Sequence, residues 1–302
     1  MSTATVDESS PGRRPKGSTR LLWDRLRRDR VAMLAMIVLG LIVAATLGAP
    51  LIAAWTGHGP NAQYLTTGLS PQGLPVGPGR TFLFGADDLG RDVLVRIAYG
   101  GRISLFVGVV ATGFAIGLGV VIGLVAGYYG GVVDAILSRF MDVVLSLPFL
   151  IFAVALIAIV GPGLWVSVFV IAFFSWASVG RVVRGQTLSI RQREFVEAAR
   201  SIGASGPRIM LFEILPNVMA PVIVYATLLV PSAIVFESTL DFLGIGVTPP
   251  TPTWGNMLAE SLNYFQEAWW FVVFPGAALL LTTLAFNVLG DAVRDALAEG
   301  ER

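Results

Sequence analysis

The chain of 302 residues is 55% hydrophobic, carries only 14% charged residues and has a net charge of +1. Because an ordinary soluble domain has about 25% charged residues, this composition indicates an integral membrane protein. The sequence contains no cysteine, which excludes disulfides, thiol nucleophiles and cysteine metal sites.

The first segment, residues 1–30, is rich in Ser, Pro, Gly and Arg and has no sustained apolar period. Such a composition cannot bury a core and predicts a mobile tail, ending in a short basic helix at the lipid surface. The apolar stretch 31–55 that follows is longer than the core of a signal peptide, about 7–15 residues. It therefore predicts an uncleaved membrane anchor, which opens a transmembrane domain spanning residues 31–302.

Four further runs without any charged residue follow: 103–133, 143–180, 214–236 and 268–290. A helix needs about 20 residues to cross the hydrocarbon of a bilayer. The run 143–180 is long enough for two crossings if it turns at Gly161-Pro162-Gly163. The sequence thus predicts an all-α membrane protein with six transmembrane helices, at about 31–55, 103–127, 140–160, 164–181, 216–236 and 268–290.

Between the first two helices lies the segment FGADDLGRDVLVRIAYGGRISL. Its three aspartates lack the spacing of a calcium loop, so no metal site is expected. Asp87 or Asp88 is instead predicted to cap a separate interfacial helix, with Leu89, Val93 and Ile97 as its apolar stripe. Arg91 and Arg96 are expected to form outward-facing pairs. His58, alone in a loop, is given no role.

Helix two contains a repeated Gly-x-x-x-Gly spacing. Lipid provides little hydrophobic drive between helices, so small residues that let backbones approach are how helices associate in a membrane. The spacing predicts that this helix packs closely against protein through Gly113, Gly117, Gly119, Gly123 and Gly127.

The polar stretch 191–216, RQREFVEAARSIGASGPRIMLFEILP, separates two apolar runs. In a helix, Phe195, Ala198, Ala199 and Ile202 share one stripe. Gly203 is predicted to end this helix in a left-handed turn, with Ser205 capping a second short helix that ends before Pro216. An amphipathic connector lying on the membrane would show the same pattern.

This stretch resembles the EAA loop with which permeases of ATP-binding-cassette importers dock their ATPase. The resemblance rests on Glu197-Ala198-Ala199, Gly203 and Leu215-Pro216, and it departs from the older pattern at Glu213. It implies a coupling role for these residues, together with Phe195 and Ile202 on the same stripe.

Three other stretches are similar to permeases of the dipeptide, oligopeptide and nickel branch: the segment before helix two, GYYGGVVDAILSRFMDVVLSLP, and ESTLDFLGIGVTPPTPTWGNML. The resemblance implies the type I (MetI-like) permease bundle with a cytoplasmic coupling loop at 191–216. It also implies a second homologous permease, two ATPase subunits and an external substrate-binding protein as partners. Di- or oligopeptides are the implied cargo and a nickel chelate is the alternative.

The remaining chemistry agrees with a non-catalytic transport subunit in the plasma membrane. With the N- and C-termini in the cytoplasm, 17 of the 21 basic residues lie inside, as the positive-inside rule requires. The chain has one lysine and no phosphate-binding loop, so ATP and magnesium are expected on partner subunits and no cofactor on this chain. The four uncharged runs argue against a proton-driven carrier, although an ATP-independent transporter or channel stays open. No catalytic residue, nucleic-acid partner or substrate-path residue is predicted.

Overall fold

The computed structural model describes residue 27 and residues 29–298. Within them the regular structure is helical, apart from two isolated β-bridges. The predicted tail and its basic helix lie almost wholly outside the described residues. The helices are α1 (Arg30–Leu47), α2 (Ala49–Thr56), α3 (Val93–Tyr129), α4 (Gly131–Ser146), α5 (Phe149–Val160), α6 (Leu164–Ile190), α7 (Glu194–Ser201), α8 (Gly206–Arg208), a π-helical turn (Ile209–Ile214), α9 (Leu215–Phe242), α10 (Trp254–Ser261) and α11 (Trp269–Ala298).

By length and composition, five of the described helices are able to cross a membrane. They are α1, α3, α6, the continuous segment Gly206–Phe242 and α11. A sixth crossing is formed if α4 and α5, which meet at an angle of 86°, are counted as one broken span. The all-helical membrane fold predicted from the sequence is therefore confirmed.

Two of the predicted helices are broken, in each case next to a proline. The stretch 31–55 divides at Gly48, because Pro50 has no amide hydrogen to continue the α1 ladder and instead starts α2. The stretch 140–160 bends at Leu147, whose extended conformation (ψ 131°) is the one favoured before Pro148. In each place the structure has two helices where the sequence predicts one.

Two other helices extend beyond the uncharged runs that predicted them. α3 begins at Val93 instead of 103, so the expected interfacial helix is its first three turns. α6 continues to Ile190 instead of 181. Arg181, at the predicted end, and Arg184, in the added turns, bond to Asp142 (2.8 Å) and Asp134 (2.7 Å). Charged residues that find partners let a membrane helix continue past its hydrophobic part.

The most extensive helix contact in the bundle joins α3 and α6, which run parallel. Gly119, Gly123 and Gly127 face α6 so closely that a β-carbon would meet it, at Gly123 within 2.6 Å of the Gly180 carbonyl oxygen. Gly113 and Gly117 differ, since a β-carbon there would meet nothing within 4 Å. The expectation that all five glycines pack against protein is thus wrong within this chain for the first two.

This division predicts opposite effects of the same substitution. Gly123→Leu forces the backbones of α3 and α6 apart, and overpacking of this kind costs about 1–3 kcal/mol. We expect a clearly lower thermal unfolding midpoint for the purified protein in detergent. Gly113→Leu, the matched control on the same helix, should leave the midpoint near that of the wild type; equal midpoints for the two variants would contradict the packing described here.

Candidate docking surface and its buried supports

Helix α7 packs against the bundle mainly through one buried apolar side chain. Val196 is fully buried in a core cluster that also contains Met141, Trp176 and Ile214, and Ala199 packs against its edge. The residues of this cluster come from α3, α4, α6, the π-helical turn and α9. The position of α7 is therefore fixed by the elements that form the bundle itself.

The apolar stripe of α7 predicted from the sequence turns mostly away from the chain. Phe195 is 37% exposed and Ile202 is 86% exposed. Ala198 is also exposed, and Ala199 alone is half-buried. The π-helical turn adds two exposed apolar side chains, Leu211 and Phe212. We call Phe195, Ala198, Ile202, Leu211 and Phe212 the docking face. Exposed large apolar groups grouped on a polar loop are typical of an interaction surface.

The bend after α7 is a helix C-terminus of the Schellman type. Gly203, for which the sequence predicts a left-handed turn, has φ +85°. Its amide donates to the Arg200 carbonyl (3.0 Å), and the Ala204 amide donates to the Ala199 carbonyl (3.1 Å). A β-carbon on Gly203 would meet nothing within 4 Å, so glycine is needed here for its backbone conformation and not for space.

The second half of the loop differs from its prediction. Ser205 precedes α8 but makes no side-chain capping bond, and α8 continues through the π-helical turn into α9 without a break. Pro216 is exposed in the first turn of α9 and Leu215 beside it is half-buried. Proline removes a backbone donor and crowds the preceding turn, and the wider π-helical turn relieves that crowding. The predicted short second helix is in fact the start of a membrane-length helix.

Two arginines tie this loop to the end of α3. The Arg191 guanidinium donates to the carbonyls of Gly127 (2.9 Å) and Tyr128 (3.3 Å). Arg200 lies 5.8 Å from the centre of the Tyr128 ring. A cation at the carboxyl end of a helix is favourable, because it satisfies orphan carbonyls and opposes the helix dipole. A displacement of the docking loop would therefore be transmitted directly to α3.

At the opposite end of α3, a buried network of ion pairs holds the segment before the helix. Asp87 Oδ2 lies 2.6 Å from Arg91 Nε and 3.1 Å from Arg96 Nε. Glu260 of α10 lies 2.9 Å from Arg91 and 3.1 Å from Arg96. Burial raises the pKa of both Asp87 and Glu260, and the two arginines act against that shift. The two arginines therefore favour the ionised form of both carboxylates, and burial opposes it.

The structure corrects the sequence prediction for this segment in three respects. Asp92, not Asp87 or Asp88, caps α3, since it accepts a bond from the Val95 amide (3.2 Å). Arg91 and Arg96 are 3% and 1% exposed instead of facing outward. His58, which was given no role, lies 2.6 Å from Asp92 and stacks on Phe82. The partners of these side chains are up to 169 positions away, and no local pattern could have revealed them.

Among the described residues, the carboxylates of Asp87, Asp88 and Glu260 lie within 4.8 Å of one another, close enough to hold a metal ion. All three, however, lie within 3.2 Å of the Arg91 guanidinium. A guanidinium with its fixed fork of donors takes the place that a cation would occupy. The arrangement is a structural network and not a ligand site.

Two more carboxyl groups are buried near the same end, in the last turns of α9. Glu237 accepts bonds from the hydroxyls of Ser104 and Ser238, both at 3.1 Å. Asp241 accepts a bond from the Val247 amide (2.6 Å) and so fixes the turn that follows α9. Both residues lie just beyond the uncharged run 214–236, because α9 continues to Phe242 instead of ending at the predicted 236.

The network predicts unequal costs for two neighbouring substitutions. Asp87→Asn removes a fully buried charge that compensates two buried arginines, and breaking such a pair costs about 3–5 kcal/mol. Asp88→Asn removes a partly exposed charge and should cost under about 1 kcal/mol. Thermal unfolding of the purified variants measures the difference; a milder effect for Asp87→Asn than for Asp88→Asn would contradict the assignment.

The structure defines a helical membrane protein with an exposed apolar surface on one loop, and comparisons with known proteins show its family. Residues 119–302 match the family model described as binding-protein-dependent transport system inner membrane component, and residues 18–71 match the N-terminal transmembrane domain of oligopeptide transport permease C. The chain belongs to the family of binding-protein-dependent transport system inner membrane components.

Several curated proteins are similar over nearly the whole chain. The dipeptide transport system permease protein DppC of Alkalihalophilus pseudofirmus is 39% identical, over 90% of this chain and 87% of its own length. The di/tripeptide transport system permease protein DppC of Pseudomonas aeruginosa is 40% identical (91% and 90%), and the oligopeptide transport system permease protein OppC of Escherichia coli K12 is 39% identical (94% and 93%).

One solved structure has the same fold. A chain of the methionine ABC transporter MetNI in an inward-facing conformation superposes with a TM-score of 0.55 at 20% identity. The match covers 68% of this chain and 96% of that one. The predicted type I permease bundle is thereby confirmed.

Proposed function

We propose that this chain is the permease subunit of an ATP-driven importer and forms half of the translocation path for di- or oligopeptides. The observation that carries the proposal is the docking face on α7, an exposed apolar surface on a chain whose relatives are named as peptide transport permeases. The energy source then lies on other subunits, since the sequence holds no phosphate-binding loop.

The docking face fits an ATPase subunit as its partner. Phe195 and Ile202 supply the apolar contact, and Glu197, Arg193 and Arg200 supply an exposed polar rim, which is the usual anatomy of a protein interface. Leu215 and Pro216 begin α9, so they connect the loop to a membrane helix. In this proposal Phe195, Glu197, Ala198, Ala199, Ile202, Gly203, Leu215 and Pro216 form the coupling element.

The other partners follow from the family. Because the family is described as binding-protein-dependent, we expect a substrate-binding protein on the outside. Because this chain forms half of the translocation path, a second, homologous permease is needed to complete it. Two ATPases on the cytoplasmic side then complete the assembly. The docking face must lie in the cytoplasm for this arrangement, with the N- and C-termini on the same side, as the distribution of basic residues favours.

This orientation predicts which positions a membrane-impermeant thiol reagent can reach. The chain has no cysteine, so single substitutions give clean probes. Thr248→Cys, exposed in the turn after α9, should react in intact cells. Ser205→Cys, exposed beside the docking face, should react only after permeabilisation. The reverse pattern would place the docking face outside and remove the ATPase as its partner.

The function predicts peptide uptake that requires ATP and the ATPase, and that fails when the docking loop is redirected. In vesicles with the complete importer, the wild type should take up a dipeptide only when ATP is supplied on the side of the membrane that carries the ATPase. Gly203→Leu should insert normally, because a side chain at positive φ costs only about 1–2 kcal/mol. It should nevertheless abolish uptake and weaken co-purification of the ATPase, since the docking face would be turned away.

The matched control is Gly73→Leu, at a glycine with φ +77° and equally open surroundings but in the segment between α2 and α3. It carries the same backbone strain and should transport normally. Wild-type uptake by Gly203→Leu with the ATPase still bound would make the loop a simple connector. Uptake driven by a proton gradient without ATP would favour an ion-coupled carrier, and nickel uptake without peptide uptake would change the cargo.

A further inference from the structure

An apolar groove runs along the outer face that α3 and α6 share. Its volume is about 700 Å³, within the range of roughly 300–1,000 Å³ typical of ligand sites. Its lining includes Gly113, Gly117, Phe114, Trp165, Phe169 and Phe173. A β-carbon on either of these two glycines would meet nothing within 4 Å, so close packing within this subunit does not explain them.

A second depression of about 390 Å³ continues the groove toward the end of α3 that carries the buried ion-pair network. It is lined by Tyr99, Arg102, Phe106, Leu164 and Thr251, among others. The two depressions are neighbours, because Phe106 of the second contacts Trp165 of the first edge to face, with ring centres 5.9 Å apart. At 1.5 Å per helical residue, the distance from Arg102 to Gly117 is about 22 Å, longer than an extended dipeptide.

Arg102 is the charged residue of this groove. It is exposed, and among the described residues its guanidinium makes no ion pair; it lies 5.8 Å from the centre of the Tyr99 ring. The two arginines that precede it in the chain, Arg91 and Arg96, are different, because both are buried and paired with Asp87 and Glu260. Arg102 thus presents hydrogen-bond donors without an acidic partner at one end of the mainly apolar groove.

The surroundings of Arg102 distinguish it from an arginine that reaches toward lipid headgroups. It sits in a concave site, with α3 on one side, Leu164 at the start of α6 on another, and Thr251 and Pro252 of the turn after α9 closing it. The buried Glu237 accepts a hydrogen bond from Ser104. Ser104 is two residues after Arg102 and therefore about 200° around the helix from it, so Glu237 lies on the other side of α3. No described carboxylate competes for the guanidinium.

We propose that Arg102 binds the terminal carboxylate of a peptide as it enters the groove along α3 and α6. The inference rests on the proposed peptide import and assigns a specificity-determining residue to it. Every peptide with a free C-terminus carries this carboxylate whatever its side chains, and arginine is the side chain best matched to it. The apolar groove beyond Arg102 accepts side chains without selecting among them, as a carrier of many peptides requires.

The test uses the complete importer in vesicles, with partner subunits free of cysteine and saturating binding protein. Arg102→Cys should lower the initial rate of dipeptide uptake at least about tenfold, the loss expected for one charged hydrogen-bonding partner. Attaching an aminoethyl group to that cysteine through a methanethiosulfonate reagent should restore most of the rate. Attaching a neutral ethyl group of similar size should not, whereas equal rescue by both groups would overturn the proposal.

A second measurement identifies which end of the peptide is bound. A dipeptide with a photoreactive side chain on its C-terminal residue should cross-link to the α3 segment that contains Tyr99 and Phe106. The same group on the N-terminal residue should label that segment much less. Equal labelling from both ends would contradict carboxylate recognition at Arg102, even if the rate effects were as expected.

Two controls separate the alternatives. If Arg102 serves an anionic lipid, the defect of Arg102→Cys should vanish in vesicles of phosphatidylcholine alone and return with phosphatidylglycerol; that result would overturn the inference. Gly117→Leu should narrow the groove and slow uptake without loss of stability. Gly40→Leu, at an open glycine of α1, should leave the rate of uptake unchanged. Wild-type vesicles that import no peptide would refute the proposed function, whereas normal import by Arg102→Cys would refute this inference alone.

Discussion

The structure depends on the close approach of α3 and α6. In lipid, helices gain little from burying apolar surface, so their association relies on backbone contact. Gly123 brings α3 to within van der Waals distance of the Gly180 carbonyl, and Gly119 and Gly127 extend the contact one turn to each side. Because the two helices run parallel, their ends meet on the same side of the bundle, where α7 leaves α6 and Arg191 reaches the carbonyls of Gly127 and Tyr128.

The two ends of α3 are held by different kinds of contact. At one end, ion pairs buried among Asp87, Arg91, Arg96 and Glu260 join α3 to α10. Removing any partner would leave a buried charge uncompensated, so this end resists displacement. At the other end, Arg191 is half-buried and Arg200 is exposed, so their contacts with α3 break at a lower cost than the buried ion pairs do.

The sequence predicted features that depend on local chemistry. Uncharged runs identified the membrane helices, and the position of Gly203 identified the turn. Features that depend on distant partners were missed: Arg91 and Arg96 are buried because Glu260 lies beside them, and nothing near them in sequence says so. Hydropathy also does not show where prolines break a helix, as Pro50 and Pro148 do.

The glycines of α3 have the same spacing in the sequence, and only a neighbour in three dimensions distinguishes Gly123 from Gly117.

Helix α3 extends from the docking loop to the groove. A single helix, about 55 Å long for its 37 residues, carries Arg102 near one end, the open glycines Gly113 and Gly117 in the middle and the Arg191 contact at the other end. Its glycines face α6 where they are needed for packing and face open space where the groove runs. α3 therefore forms the packed contact with α6 and a wall of the groove, and its carboxyl end is bonded to Arg191 of the docking loop. In the proposed function, this closely packed helix pair is the element that connects an ATPase to a peptide.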